Sequence, residues 1–263
     1  MLKYSANLSL LFTEVPLIER FAAARAAGFS AVEIQFPYEL AIADILRELE
    51  THELRLVLIN VPAGDLMQGG DGLACVPGRE QAFRHAVMDA LHYASALGVP
   101  TVNVLAGREP AGESLTRCLH TLAGSLRYAS ETLQSIGVTT VVEAINTVDM
   151  PRFLVHNVAQ MQEMLEIVDH PTLKMQFDCY HMARMGEDVL QALTDNIDSI
   201  GHVQFADTPG RHQPGTGALD FAAIFTRLRE LPYAGWCGAE YRPHGCTQDS
   251  MHWLQQWPQD NDH

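Results

Sequence analysis

Short apolar runs rich in β-branched residues alternate with longer stretches of helical period along the whole chain, and this alternation is what most limits its fold. SANLSL is followed by PLIERFAAARAAG, AVEIQF by LAIADILRELETH, and LRLVLIN by a helical stretch from about Arg79 to Leu97. The pattern continues through TVNVL, a helix from about Glu113 to Ile136, TTVVEA, a helix from about Val158 to Val168, LKMQFD and a helix around Val189 to Ile197. GHVQFA, FAAIFTRLREL, WCGAEY and an amphipathic stretch before Trp257 complete it. Eight strands and eight helices are predicted. Strict alternation implies a parallel sheet, and eight βα units in 263 residues favour closure into a single α/β domain over 1–263, a (β/α)8 TIM barrel. An open doubly wound sheet is the structural alternative, but no GxGxxG or P-loop follows any predicted strand. Gly28 and Gly98 stand where two helices should stop, and Pro16 suits the first turn of the first helix. No Pro/Ser-rich linker divides the chain, and a polar tail over about 258–263 is expected to fray.

Charge narrows the partners. Seventeen Lys and Arg against 32 Asp and Glu give a formal charge of −15, which repels a phosphate backbone, so nucleic acid is a poor partner. The same field opposes an anionic small substrate unless a local cation meets it. No apolar run approaches the ~20 residues of a membrane helix, and the N-terminal MLKYSANLSLLFTEVP lacks the features of an export signal. Cys75, Cys118, Cys179, Cys237 and Cys246 are odd in number and form no CxxC pair, which points to a reducing cytoplasm and away from a disulfide framework or zinc ribbon. A homo-oligomer is compatible with such a chain.

In barrels of this kind the reacting groups lie where strands end, so the polar residues that close each strand are the informative ones. The fifth strand ends VVEA with Glu143, the sixth MQFD with Asp178, the seventh reads HVQF with Gln204, and the eighth CGAE with Glu240. Three carboxylates at one barrel mouth repel each other, and a divalent cation resolves that repulsion. Oxygen donors of this type suit Mg²⁺ or Mn²⁺ better than zinc or copper, and no organic cofactor is indicated. For any one strand end, a cap or an ion pair explains the acid equally well; four successive strands make that explanation harder to sustain. His181, in DCYH, and His202, two residues before Gln204, can face the same site. Arg211, in the loop after the seventh strand, and Arg242, two residues beyond Glu240, are the candidate cations for a substrate carboxylate, although a solvated surface role explains Arg242 equally well. The PGTG segment at Pro214–Gly217 reads as a lid hinge or an ordinary turn.

The strings SANLSLLFTEVP, VEIQFPYE, NVPAGD, GLACVPGRE, VEAIN, QFDCYHMARMGE, GHVQFADTPGRHQPGTG and GWCGAEYRP closely resemble the hydroxypyruvate isomerases of the xylose-isomerase-like barrel superfamily, nearly end to end. The resemblance implies one metal held by Glu143, Asp178, Gln204 and Glu240, with Glu143 and Glu240 as the proton donor and acceptor. It implies interconversion of hydroxypyruvate and 2-hydroxy-3-oxopropanoate (tartronate semialdehyde), a 2-oxo acid substrate, through an enediolate, and Arg211 matches an arginine that related epimerases use near the substrate; His181 either hydrogen-bonds a substrate oxygen or orients Asp178. Related ketose 3-epimerases place a histidine where Gln204 stands, which favours the isomerase branch. The 2-oxo-tetronate isomerases are a close sister branch with much of the same pattern. Endonucleases built on the same barrel cluster several zinc ions with many histidines, which this chain's oxygen donors and charge do not match. A catalytically silent sugar-acid binding barrel is the reading from outside enzymology.

Overall fold

A computed structural model describes residues 2–258; residues 259–263, where most of the expected polar tail falls, lie outside the described residues. Eight strands are present: β1 (Lys3–Asn7), β2 (Ala31–Ile34), β3 (Arg55–Asn60), β4 (Thr101–Val104), β5 (Thr139–Glu143), β6 (Leu173–Asp178), β7 (Ile200–Phe205) and β8 (Trp236–Ala239). All pair in parallel with their sequence neighbours, and β8 pairs with β1, so the sheet closes into a barrel. The helices are α1 (Arg20–Ala26), α2 (Ile42–Thr51), α3 (Glu80–Leu97), α4 (Leu115–Gln134), α5 (Val158–Val168), α6 (Cys179–Arg184), α7 (Val189–Asn196), α8 (Phe221–Glu230) and α9 (Trp253–Gln256). This is the predicted TIM barrel, with three local differences. The first strand starts at Lys3, before the SANLSL run, because its pairing with Trp236 begins there. Pro16 precedes a 3-10 turn, Leu17–Glu19, and α1 starts only at Arg20. A ninth helix, α6, follows β6 directly; Asp178 caps it by accepting from the Tyr180 amide at 2.8 Å. Gly28 and Gly98 do end α1 and α3 in left-handed conformations.

Alternation along the strands sorts side chains between two environments. One face packs on the helices: Tyr4 and Phe205 meet each other, Phe225 and Trp253 edge to face with centroids 5.1–6.0 Å apart, so α8 and α9 cover the seam where β1 meets β8. The other face fills the barrel with polar groups. Glu33, on β2, accepts from Ser5 Oγ (3.1 Å), Asn7 Nδ2 (3.0 Å) and Gln204 Nε2 (2.7 Å), and pairs with His202 Nε2 at 2.8 Å. Those partners on β7 lie three strands away from β2, so the bonds cross the interior. Room for the crossing comes from Gly238 on the intervening β8, where a Cβ would fall 2.4 Å from the Glu33 carboxylate. Among the described residues no helix is long and apolar enough to cross a membrane, and all five cysteines are free, only Cys246 being exposed.

Candidate active site

At the C-terminal mouth of the barrel Glu143, Asp178 and Glu240 gather around Arg211, while Gln204 is bonded to Gln176 and Glu33. Glu143 and Asp178 close β5 and β6, Gln204 lies level with Asp178 in the sheet register, and Glu240 directly follows β8. All four are buried. They line or underlie a cavity of about 480 Å³, counted to its open mouth. Gln35, Asn60, Asp149, Gln176, His181 and Arg211 supply the rest of its polar lining.

The three acids share few donors. Glu143 Oε2 accepts from Asn103 Nδ2 at 2.9 Å. Glu240 Oε1 accepts from Asn7 Nδ2 at 2.9 Å and Gln35 Nε2 at 2.6 Å, and its Oε2 accepts from Arg211 at 2.8 Å. Asp178 Oδ2 is buried with no hydrogen-bond partner; the Arg211 guanidinium stands 3.7 Å away. Burial, and next the negative charge of Glu240 and Asp178, pushes the Glu143 carboxyl well above the ordinary range. Burial likewise raises Asp178 and pushes Glu240 up to about 7, although Arg211 opposes both shifts. Arg211 stays charged because Glu240, Asp178 and Glu143 outweigh its own desolvation. Its ring-face contact with Tyr180, at 5.2 Å, supports the guanidinium, and its buried Nε has no hydrogen-bond partner.

His181 lies on α6, not on a strand or loop. Its Nε2 is 3.7 Å from Glu143 Oε1 and 3.6 Å from Asp178 Oδ2, and these three residues can bring one ligand atom each within 4.8 Å of one another. The ring orientation argues for a different part. The Asn146 backbone N–H donates to His181 Nδ1 at 3.4 Å, with Asn146 Nδ2 at 2.7 Å from the same atom. Nδ1 is therefore an acceptor, and the neutral ring carries its proton on Nε2, facing the carboxylates. Burial, and secondarily Arg211, holds the His181 pKa well below its usual value, so the ring is neutral at pH 7. It donates toward the site and does not compete for a cation.

Two expected residues fall elsewhere. Arg242 is exposed and does not line the cavity, because β8 ends at Ala239 and strand alternation no longer governs its direction. His202 sits one layer deeper, against Glu33. The PGTG segment is a turn held by hydrogen bonds from Gly215 and Gly217 to Asp207. Sequence reasoning missed Asn7, Glu33, Gln35, Asn103, Asn146 and Gln176. Most lie on strands at positions where the same inward alternation operates.

The donor set fits a divalent cation: three buried carboxylates, one oxygen without a partner, and a neutral amide in Gln204. The amide of Gln204 is held in one orientation, its Nε2 donating to Glu33 and its Oε1 accepting from Gln176 at 2.7 Å.

Residues 21–257 match the family described as xylose isomerase-like TIM barrel. The chain belongs to that family. It is 40% identical over 254 residues to the hydroxypyruvate isomerase of Escherichia coli K12, covering 97% of this chain and 98% of that one. It is also 40% identical over 255 residues to the 2-oxo-tetronate isomerase of Cupriavidus necator, with the same coverage. Among solved structures it is similar to one described as AP endonuclease, family 2, from Brucella melitensis, with a TM-score of 0.94, 38% identity and coverage of 98% and 99%.

Proposed function

We propose that this chain works as one barrel domain that interconverts hydroxypyruvate and 2-hydroxy-3-oxopropanoate, using one Mg²⁺ or Mn²⁺ held by Glu143, Asp178, Gln204 and Glu240. The coarser assignment, an isomerase of the hydroxypyruvate and 2-oxo-tetronate isomerase type, rests on its similarity to those enzymes along almost its full length. The observation that carries the mechanism is the pair of buried carboxyls at the cavity, Glu143 and Glu240, both of which burial makes better proton holders than an ordinary carboxylate, Glu240 up to about 7.

The reaction moves a proton between adjacent carbons through an enediolate. One glutamate takes the proton from carbon and the other returns one to its neighbour. The bound cation supplies Lewis acidity that makes negative charge on the substrate oxygens less costly. His181 Nε2–H donates to a substrate oxygen, and Arg211, with its unspent Nε, receives the carboxylate. Phe36, Met67, Leu105, Ile145 and Met150 make the remaining wall apolar, which suits a short substrate with few hydroxyls to satisfy. That wall favours hydroxypyruvate over 2-oxo-tetronate, and the amide at Gln204 favours both over a free ketose. The nuclease named for the Brucella structure is a weaker reading for this chain: among the described residues the site holds a single histidine, with its N–H toward the acids, and the net charge is −15.

The test is an NMR assay in D₂O with Mg²⁺ or Mn²⁺, offering hydroxypyruvate, 2-oxo-tetronate and a free ketose in parallel. Metal-dependent conversion of hydroxypyruvate with deuterium incorporation is expected. Faster turnover of 2-oxo-tetronate moves the assignment to the sister branch, and reaction of the ketose alone removes Arg211 from its role. Binding of metal and substrate without any exchange would make the barrel a binder.

A further inference from the structure

The β7–α8 loop, residues 208–219, carries Arg211 and has no regular structure of its own. It hangs instead on one side chain. Asp207 lies two residues past the end of β7, is 1% exposed, and does not line the cavity. Its carboxylate accepts four backbone N–H groups from this loop: Oδ1 from Thr208 (2.9 Å) and Leu219 (3.0 Å), Oδ2 from Gly215 (3.0 Å) and Gly217 (2.8 Å). Its own N–H donates to the His212 carbonyl at 2.8 Å. The two ends of the loop and its middle are thereby gathered around a single anion.

Arg211 sits at the turning point of this wrap, with φ +57, a left-handed conformation that a non-glycine residue keeps only when its surroundings impose it. The Arg242 N–H donates to the Arg211 carbonyl at 2.7 Å and fixes the backbone from the β8 side. The packing leaves no slack. A Cβ at Gly217 would stand 2.1 Å from the Thr208 carbonyl oxygen and 2.6 Å from Asp207 Oδ1. We infer that Asp207 is the positioning residue that sets Arg211 against Glu240 and over the cavity. Its consequence for turnover rests on the reading of Arg211 as the substrate's cation.

A carboxylate is suited to this task because both of its oxygens accept; an amide of the same shape accepts on one side only. Asp207→Asn therefore strands two loop N–H groups while keeping the volume. Gly217→Ala leaves Asp207 intact and lifts the loop away from it. Both variants are measured for KM and kcat with hydroxypyruvate and for Mn²⁺ binding by EPR, alone and in an Arg211→Ala background. Each is expected to raise KM about tenfold or more, the scale of one lost hydrogen bond to a charged group. Mn²⁺ affinity should hold or rise, since the ligands keep their places while the Arg211 cation paired with Glu240 and Asp178 is loosened from them. In the Arg211→Ala background neither should raise KM further, because they act through the residue already removed.

An equal rise in both backgrounds would overturn the inference, as would an unchanged KM in both variants where Arg211→Ala raises it. Should Arg211→Ala itself leave KM unchanged, the substrate reading fails, and the positioning is decided by ¹⁵N spectra of the arginine side chains. A slowly exchanging Arg211 Nε–H in the wild type that exchanges freely in Asp207→Asn supports it. Equal protection in both proteins overturns it.

Discussion

Glu240 makes the metal-free protein less stable as pH rises, and a bound cation should reverse that trend. Its carboxyl is pushed from 4.5 to about 7 in the folded protein, with burial the leading cause. The folded state therefore holds this proton more tightly than the unfolded chain does. The resulting stabilisation is complete below about pH 4.5 and lost as pH climbs through about 7. At about 1.4 kcal/mol per pH unit the loss is roughly 3 kcal/mol, a sizeable share of a domain's usual 5–15 kcal/mol. For a chain of this length it corresponds to roughly 6–12 °C in Tm. The assay is calorimetric unfolding of EDTA-treated protein between pH 5 and pH 8, wild type against Glu240→Gln. Acids remote from Glu240 titrate alike in both proteins, so the difference between the two curves reports Glu240 together with Glu143, whose carboxyl its charge raises, and Glu240→Gln should gain on the wild type as pH rises. Saturating Mn²⁺ should raise the wild-type Tm most at pH 8, where no proton has to be displaced from the ligands. Parallel curves for the two metal-free proteins would refute a raised Glu240 pKa. A Tm indifferent to Mn²⁺ at pH 8 would refute the cation site.

Glu143→Gln or Glu240→Gln should lower kcat by about 10²–10⁴-fold while substrate still binds, as judged by steady-state kinetics and calorimetry; near-normal turnover would remove proton transfer from that residue. Arg211→Ala should raise KM for carboxylate-bearing substrates about tenfold or more with little change for an uncharged analogue, whereas Arg242→Ala should leave both alone. The opposite result moves the cation to Arg242. Trp253→Ala, which empties the centre of the aromatic cluster over the β1–β8 seam, should cost about 3–5 kcal/mol in urea unfolding. A loss below about 1 kcal/mol would show that α9 does not seal the barrel.

The barrel was legible because each strand and helix has its own period and the turns from a helix to the next strand are short. α6 was not, since CYHMAR is too brief to show a period and its N-cap, Asp178, reads first as a strand-end acid. Glu143, Asp178 and Glu240 stood out as acids beside apolar strands. Glu33 gave the same signal within AVEIQF, but it lies mid-strand, and attention to strand ends passes over it. Asn7, Asn103 and Gln176 are neutral amides and carry no charge anomaly to notice. Their role depends on which carboxylate crosses the barrel toward them, which only the closed sheet determines. Arg211 shows the same limit from the other side. Its type was readable from the loop, but its contact with Glu240 depends on the conformation of residues 208–219, which no local pattern encodes.

The choice of amides as partners bears on the chemistry. Asn7, Gln35, Asn103 and Gln204 donate to the buried carboxylates without adding a positive charge. Cations in their place would pull the carboxyl pKa values down and neutralise the site before a metal reached it. Among the described residues Arg211 is the one guanidinium in ion-pair contact with the acids, and it opposes the rise of Glu240. A substrate carboxylate that engages Arg211 shares a charge which, in its absence, belongs to Glu240 and Asp178. On the proposed reading of Arg211 and Glu240, binding the anion would strengthen the hold of Glu240 on a proton just as the substrate C–H comes within reach. One cation among neutral donors would then couple substrate recognition to the basicity of the proposed proton acceptor.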